Sequence, residues 1–212
     1  MDIKNLERNT KEIYMINLPM GETYWNGRYA DESTQWDLGT ISPPLKAYAN
    51  QLTNKHSPIL IPGCGNSYEA EYLIQQGFTN ITVIDIAPLA VKSLKKKFEG
   101  NVNIHIVLGD FFEHEGQYDL IIEQTFFCAL PPLFRNDYVA KMKTLLTQNG
   151  NLAGVLFDRR FEADGPPFGG SRDEYLELFR NDFDVKTFET CYNSFPKRMG
   201  AELFINLRKK KS

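Results

Sequence analysis

The chain has 212 residues, 42% of them hydrophobic, and a formal net charge of −3. This length suffices for one domain with a sizeable core, and the mild acidity gives no electrostatic reason to expect a nucleic-acid partner. No apolar run approaches the roughly 18 residues of a membrane helix, and the first residues lack the apolar core of a signal peptide. We therefore expect a cytoplasmic protein with no membrane partner.

The three cysteines and three histidines are scattered along the chain without the spacing of metal ligands. An odd number of widely spaced cysteines fits reduced thiols in a cytosol. The sequence therefore predicts no metal site.

Apolar runs and helical segments alternate after a polar and aromatic start. We expect a single domain over 1–212, in which 1–45 forms an N-terminal lid and 46–212 forms a Rossmann-like core. Prolines at helix starts and glycines at helix ends set most of the boundaries. The predicted helices are 43–52, 68–76, 88–98, 136–146 and 171–180. The predicted strands are 59–62, 81–85, 103–107, 118–122, 151–157, 183–190 and 201–208.

The last two predicted strands are joined by a turn around Pro196, with no helix between them. Such a closing hairpin places an antiparallel last strand in an otherwise parallel sheet. Many class I methyltransferases have this arrangement, whereas a dinucleotide dehydrogenase usually continues with β-α-β units. The predicted fold class is therefore α/β and Rossmann-like, with a seven-stranded, mostly parallel sheet.

A glycine turn after the first strand points to a nucleotide ligand. Gly63 and Gly65 let the backbone approach a ligand, and Asp85, twenty residues after Gly65, ends the second strand where a carboxylate accepts from ribose hydroxyls. Tyr68 replaces the third glycine of the dinucleotide motif, which supports close packing beneath a pyrophosphate. An adenosine cofactor without a pyrophosphate, such as S-adenosylmethionine, fits this departure.

Acids also follow the third and fourth strands. Asp110 and Phe111 lie where adenine is expected, although Asp110 also suits a simple turn cap. Glu123 and Gln124 lie where the amino-acid end of the cofactor is expected. For Glu123 we weigh a contact with the α-ammonium against a strand-end charge in water.

Several aromatic, glycine and proline motifs occur in one order along the chain. They are residues 25–29 (WNGRY), 36–39 (WDLG), 43–44 (PP), 62–65 (PGCG), 126–132 (FFCALPP) with Arg135 and Tyr138, and 165–168 (GPPF). Together they resemble the thiopurine S-methyltransferase family, and most closely its halide and thiol methyltransferase branch. The resemblance implies a class I methyltransferase that uses S-adenosylmethionine, releases S-adenosylhomocysteine, and methylates a thiol, sulfide, thiopurine or halide.

The resemblance also implies site residues. Tyr29 stands where the halide and thiol branch usually has a second tryptophan, and Gln124 replaces an aromatic or basic residue. Arg135 matches an arginine described near cofactor and substrate. The residues expected at the cofactor are Trp25, Tyr29, Trp36, Gly63, Gly65, Asp85, Asp110, Phe111, Glu123, Gln124 and Arg135.

The aromatic lid has a physical reason of its own. A sulfonium is a permanent cation, and aromatic faces attract cations by roughly 0.5–2 kcal/mol. A lid of tryptophan and tyrosine also shields the transfer from water. Core packing for a surface helix is the alternative explanation for these rings.

Methyl transfer to a soft nucleophile needs positioning and desolvation more than a proton relay. We expect Phe126 and Phe127 to form a dry wall around the acceptor, and Arg159 to contact an anionic substrate. Arg135 and Asp158 are the candidates for a catalytic role. Asp158 either accepts a proton or pairs with an arginine at a strand end.

Two further functions stay open at this point. One is a non-catalytic S-adenosylmethionine-binding sensor or scaffold, and the other is a nicotinamide-dependent oxidoreductase, which the missing glycine and the final hairpin disfavour. Hydrogen sulfide, small thiols, thiopurines and iodide all fit a dry aromatic pocket. The resemblance to the family also implies a monomer.

Overall fold

The computed structural model describes residues 20–162 and 165–211 of the chain. One seven-stranded sheet runs through this part. Its strands are β1 Ile59–Pro62, β2 Ile81–Asp85, β3 Ile104–Leu108, β4 Tyr118–Gln124, β5 Leu146–Phe157, β6 Phe183–Thr190 and β7 Glu202–Lys209. In the order β3-β2-β1-β4-β5-β7-β6, the first five strands pair in parallel, and β7 pairs antiparallel with β5 and β6. The mixed sheet expected from the closing hairpin is confirmed.

Six α-helices in the described ranges connect or flank these strands. They are α1 Glu22–Ala30, α2 Pro43–Ala49, α3 Tyr68–Gln75, α4 Pro88–Lys97, α5 Arg135–Leu145 and α6 Arg172–Phe179. Prolines begin α2 and α4, and Gly77 follows α3 with a left-handed φ of 86°. A reciprocal capping box of Ser171 and Glu174 begins α6. These local signals place most helix ends within a few residues of their predicted positions.

The core divides over the two faces of the sheet because successive strand residues point to opposite sides. On one face Tyr138, Tyr175 and Phe179 pack with residues of β4, β5 and β7. On the other face Leu45, Leu73 and their neighbours pack against β1 and β2. Both faces are covered, and every residue of β1 and β2 is buried.

The boundary between α5 and β5 differs from the predicted one. We expected a helix over 136–146, a helix-stop signal at Asn149 and Gly150, and a strand from residue 151, but β5 already begins at Leu146, which pairs with Tyr118. A Cβ on Gly150 would lie 2.9 Å from the carbonyl oxygen of Tyr118. The glycine therefore allows a close approach between strands and is not a helix stop.

The lid helix α1 lies against the start of α4, beside the carboxyl ends of the parallel strands. The side-chain oxygen of Asn26 accepts a hydrogen bond from the backbone N–H of Leu89 at 2.8 Å. Ligands of open α/β sheets bind at this edge. None of the described helices is long and apolar enough to cross a membrane.

Candidate functional site

A cavity of about 390 Å³ lies between α1 and the carboxyl ends of the parallel strands. This volume falls within the ~300–1,000 Å³ that is typical of small-molecule sites. Eight residues that the sequence analysis proposes as site residues line it together. They are Trp25, Tyr29, Trp36, Gly63, Asp85, Asp110, Phe111 and Phe126.

The glycine turn connects the lid with the loop that follows β4. Gly63 and Gly65 have left-handed φ values of 55° and 50°. A Cβ on Gly63 would lie 2.3 Å from the Phe126 ring, and one on Gly65 would lie 2.9 Å from the Tyr29 hydroxyl. The turn therefore requires glycine both for its backbone conformation and for its close neighbours.

Asp85 is 7% exposed and faces the cavity from the end of β2. Its two carboxylate oxygens accept hydrogen bonds from the backbone N–H groups of Gly65 and Ala87, each at 2.9 Å. Burial raises the pKa of this carboxyl, and the N–H groups oppose that shift. Each oxygen retains a lone pair for a further donor, which suits ribose hydroxyls.

Asp110 and Phe111 line the cavity from the end of β3. One carboxylate oxygen of Asp110 accepts from the backbone N–H of Phe112 at 2.8 Å, as expected for a turn cap. The Phe111 ring packs edge-on against Phe126, with centroids 5.0 Å apart. Asp110 thus combines a turn bond with a position on the cavity wall.

A smaller cavity of about 50 Å³ shares Trp36, Gly63 and Thr125 with the large one. Gly65 and Gln124 line it, away from the adenine end. The side-chain oxygens of Gln124 and Ser67 are buried there without a hydrogen-bond partner in the described ranges. Unpaired buried oxygens of this kind suit a charged amino-acid group.

The three lid rings pack against one another. Trp36 packs edge-on against Trp25 and Tyr29, at centroid distances of 5.4 and 5.9 Å. Asp37 holds this segment to the core by accepting from the Asn66 side chain and from the Tyr68 hydroxyl. Burial, and next the nearby Asp85, raise the pKa of Tyr29.

The described residues fit S-adenosylmethionine. The Asp85 carboxylate suits the ribose hydroxyls, and the glycine turn at Gly63 lets the backbone approach a ligand. The three clustered lid rings suit the sulfonium, and the unpaired oxygens in the small cavity suit the amino-acid end.

Glu123 turns toward the interior and lines neither cavity. It is 0% exposed, and one carboxylate oxygen accepts from the backbone N–H groups of Phe126 and Phe127 at 2.7 and 3.0 Å. The other oxygen accepts from the Tyr138 hydroxyl at 2.7 Å. Burial raises the pKa of Glu123 to about 7. Glu123 is therefore not a strand-end charge in water, because its carboxylate is buried and hydrogen-bonded within the protein.

Phe127 and Arg135 also lie outside the two cavities. Phe127 is 1% exposed and points into the core, because the tight turn after β4 directs Phe126 and Phe127 to opposite sides. The Arg135 guanidinium lies 5.1 Å from the Phe127 ring and 5.3 Å from the Tyr175 ring. It donates to the Gly169 carbonyl oxygen at 2.7 Å.

Asp158 and Arg159 are not brought to the cavity walls either. Asp158 accepts from the backbone N–H of Arg172 at 2.9 Å, in the first turn of α6. Arg159 is exposed, with its guanidinium 4.9 Å from the Phe161 ring. Asp158 and Arg159, which we expected near the acceptor, therefore contact Arg172 and Phe161 instead.

Two other arginines line the large cavity and were missed by the sequence analysis. Arg28 lies three residues after Trp25 on α1, a helical spacing that could have revealed a shared face. Arg198 lies in the turn between β6 and β7 and contacts Trp36 across the fold, where its Nη2 donates to the carbonyl oxygen at 2.7 Å. No pattern in the neighbouring sequence predicts the contact between Arg198 and Trp36.

Comparison with known proteins supplies the family. Residues 20–206 match the family model described as Thiopurine S-methyltransferase (TPMT). A probable thiol methyltransferase 2 of Arabidopsis thaliana is 30% identical over 159 residues, which cover 73% of this chain and 70% of that protein. The thiopurine S-methyltransferase of Vibrio parahaemolyticus is 26% identical, covering 74% and 81%. The thiocyanate methyltransferase 1 of Arabidopsis thaliana is 24% identical, covering 84% and 81%.

Solved structures share the fold. The Burkholderia thailandensis 1,6-didemethyltoxoflavin-N1-methyltransferase, solved with S-adenosylhomocysteine, superposes with a TM-score of 0.71 at 20% identity, covering 90% of this chain and 87% of that one. A TehB-like methyltransferase from Corynebacterium glutamicum has a TM-score of 0.65 at 19% identity, covering 88% and 98%. These likenesses confirm the expected class I methyltransferase fold and do not favour an oxidoreductase. The chain belongs to the thiopurine S-methyltransferase family and is an S-adenosylmethionine-dependent methyltransferase.

Proposed function

We propose that this methyltransferase acts on a small sulfur nucleophile, namely a thiol, sulfide or thiopurine, with halides as further acceptors. The proposal rests on the apolar lining of the large cavity, which includes Leu130, Phe157, Pro166 and Pro167 as well as Phe126. Such a wall desolvates a soft nucleophile without having to position a proton acceptor. The names of the thiol and thiocyanate methyltransferase relatives support the same acceptor class.

We propose that Asp85 accepts from the ribose hydroxyls and that Asp110 and Phe111 hold the adenine. Gln124 and Gly65, on the small cavity, would bind the amino-acid end. When bound, the cofactor supplies an electrophilic methyl group on a positively charged sulfur. Glu123, Phe127 and Arg135 support the walls from behind through the contacts described above.

The lid rings of Trp25, Tyr29 and Trp36 are proposed to lie around that positive sulfur. Aromatic faces stabilise a cation by roughly 0.5–2 kcal/mol, and more in a dry site. The same rings exclude water from the acceptor. On this basis we propose residues 20–45 as a lid on the core of the same domain; residues 1–19 of the expected lid lie outside the described part of the chain.

An acceptor that enters as a thiolate or a halide needs no base from the cavity wall. Asp85 and Asp110, which line the cavity, accept hydrogen bonds from backbone N–H groups, and Asp158 lies elsewhere. A thiol loses its proton to solvent, and the sulfur lone pair of the thiolate forms the new S–C bond. Bound S-adenosylmethionine would supply the methyl group and would keep the electron pair of the broken methyl–sulfur bond, which leaves its sulfur as a neutral thioether. The protein's part is to orient the acceptor and keep the site dry.

Formation of S-adenosylhomocysteine with an acceptor panel tests the function. The panel contains sulfide, an aromatic thiol, a thiopurine, iodide and a blank without acceptor. We expect turnover with at least one sulfur acceptor well above the blank. Tight S-adenosylhomocysteine binding without turnover on any acceptor would contradict the proposal and favour a sensor or scaffold.

A pair of leucine variants tests the acceptor wall. Leu130→Trp fills the apolar part of the cavity, and we expect it to reduce turnover of a thiopurine far more than turnover of sulfide. Leu133→Trp is the matched control, since Leu133 is 37% exposed and lies outside both cavities. Equal losses for large and small acceptors in Leu130→Trp would place the acceptor elsewhere.

We further propose a cytoplasmic monomer. All three cysteines are buried and free, which suits a reducing compartment. Light scattering of the purified chain tests the monomer, and cell fractionation tests the compartment.

A further inference from the structure

The lid carries a positive charge into the large cavity through Arg28. We propose that Arg28 forms a binding site for the negative charge of the methyl acceptor, a small monoanion such as a thiolate, hydrosulfide or halide. This inference rests on the proposed function, because it names the charge state in which the acceptor enters that site.

The first support is an unused donor. The Arg28 guanidinium carbon lies 5.7 Å from the centroid of the Trp36 ring, and its Nη2 donates to the Gln35 side-chain oxygen at 2.7 Å. Its Nε is buried without a hydrogen-bond partner among the described residues. An unpaired buried donor is unfavourable, so a guanidinium that turns this N–H toward an acceptor in the cavity gains a hydrogen bond.

The second support is the charge balance of the cavity. Arg198 lines the same cavity but is paired with the buried Glu202 at 3.3 Å. Within the described ranges, the contacts of Arg28 are with the neutral Gln35 side chain and Trp36 ring. The cavity acids Asp85 and Asp110 bond to backbone N–H groups and not to Arg28. Arg28 is therefore a cation that keeps its charge available for an anion.

The reaction has a second anionic group, the carboxylate of the cofactor, and this group is proposed to bind away from Arg28. The small cavity with the unpaired oxygens of Gln124 and Ser67 is where the amino-acid end is proposed to bind, and Arg28 does not line it. Arg28 lines the large cavity together with the apolar residues Leu130 and Phe157. A weakly hydrated guanidinium beside apolar groups suits a soft anion.

The chain has its own optical probe for this site. Trp25 and Trp36 are its two tryptophans, and both line the cavity with Arg28. Iodide quenches tryptophan fluorescence on contact, so iodide is the probe, added to the full chain saturated with S-adenosylhomocysteine. We expect saturable quenching in the wild type and at least a 10-fold weaker apparent affinity in Arg28→Gln.

Matched measurements distinguish the charge from access or folding. Acrylamide, a neutral quencher, should quench the wild type and Arg28→Gln alike. Arg180→Gln, which removes an exposed arginine paired with Glu177, should retain saturable iodide quenching. Arg28→Lys keeps the charge and should fall between the wild type and Arg28→Gln. Linear quenching of equal slope in the wild type and Arg28→Gln would overturn the inference.

Affinity for S-adenosylhomocysteine distinguishes the two anions. Arg28→Gln should bind it within 3-fold of the wild type while its KM for a thiolate rises about 10-fold or more. A 10-fold loss of S-adenosylhomocysteine affinity with intact iodide quenching would assign Arg28 to the cofactor carboxylate and overturn the inference. Since quenching needs no turnover, Arg28-dependent iodide binding without product on the panel would contradict the proposed function alone.

Discussion

The ends of β2 and β4 invite comparison, because both are buried apolar strands that run into an acid at the same edge of the sheet. Asp85 and Glu123 each accept two backbone hydrogen bonds. Asp85 nevertheless lines the large cavity, whereas Glu123 is 0% exposed and takes a third hydrogen bond from Tyr138.

The segment that follows each strand accounts for the difference. After Asp85 the chain turns at once into α4, whose start at Pro88 leaves the carboxylate open to the cavity. After Glu123 a tight turn folds Phe126 and Phe127 over the carboxylate, and one carboxylate oxygen accepts from the two N–H groups of that turn. A strand-end acid thus faces the cavity or forms an internal brace, according to which segment covers it.

Removal of the Glu123 brace should have the largest effect on stability. Glu123→Ala leaves two backbone N–H groups and a tyrosine hydroxyl without their acceptor, so we expect a loss of about 2–4 kcal/mol in the free energy of unfolding. Denaturant unfolding measures it, with Glu189→Ala on the exposed side of β6 as control. Wild-type stability in Glu123→Ala would remove the distinction between the two acids.

Asp85→Asn should instead weaken the binding of the ligand. We expect S-adenosylhomocysteine affinity to fall by about 10–100-fold, since hydrogen bonds to a charged group contribute about 1.5–3 kcal/mol. Asn keeps one accepting oxygen for two backbone N–H groups, so the free energy of unfolding should also fall, by about 1–2 kcal/mol, which is less than in Glu123→Ala. The exposed Asp173→Asn should change neither quantity. Calorimetric titration measures the affinity, and an unchanged value would contradict the ribose contact.

The buried proton of Glu123 sharpens the comparison through pH. Its pKa in the folded protein is about 7 against an ordinary 4.5, so the folded state holds this proton more tightly. Its contribution to stability is fully present below about pH 4.5 and is lost as the pH rises through 7, by at most about 1.4 kcal/mol per pH unit. Glu123→Gln lacks this titration, so the difference between the wild-type and variant free energies of unfolding should change with that slope between pH 4.5 and 7, and parallel profiles from pH 4.5 to 8 would contradict it.

The smallest change removes one hydrogen bond. Tyr138→Phe should cost about 1 kcal/mol of unfolding free energy. Because it deletes a donor to the ionised carboxylate, it should raise the pKa of Glu123 further and move the upper end of the stability loss above pH 7. Tyr72→Phe, whose hydroxyl donates to the exposed Asn50 side chain, is the control. An unchanged pH midpoint would show that the hydroxyl does not stabilise the charge.

Signals that act over a few residues were readable from the sequence. The apolar runs of β1 and β2, the glycine turn at Gly63, and the Ser171 cap of α6 each depend on neighbouring residues and lie where predicted. The start of β5 was not readable, because Leu146 pairs with Tyr118, 28 positions away, and overrides a local helix-stop signal.

Periodicity and turn signals predict the fold class and the order of elements that brings Asp85 and the aromatic lid to one edge, and short motifs carry the resemblance to the family. Which charges reach the cavity depends instead on contacts between distant parts of the folded chain. The tertiary structure holds Arg135 between Phe127 and Tyr175, and it brings Arg198 to Trp36, 162 positions away. A long side chain contacts the partners that packing brings near it, and those partners come from distant segments of the chain.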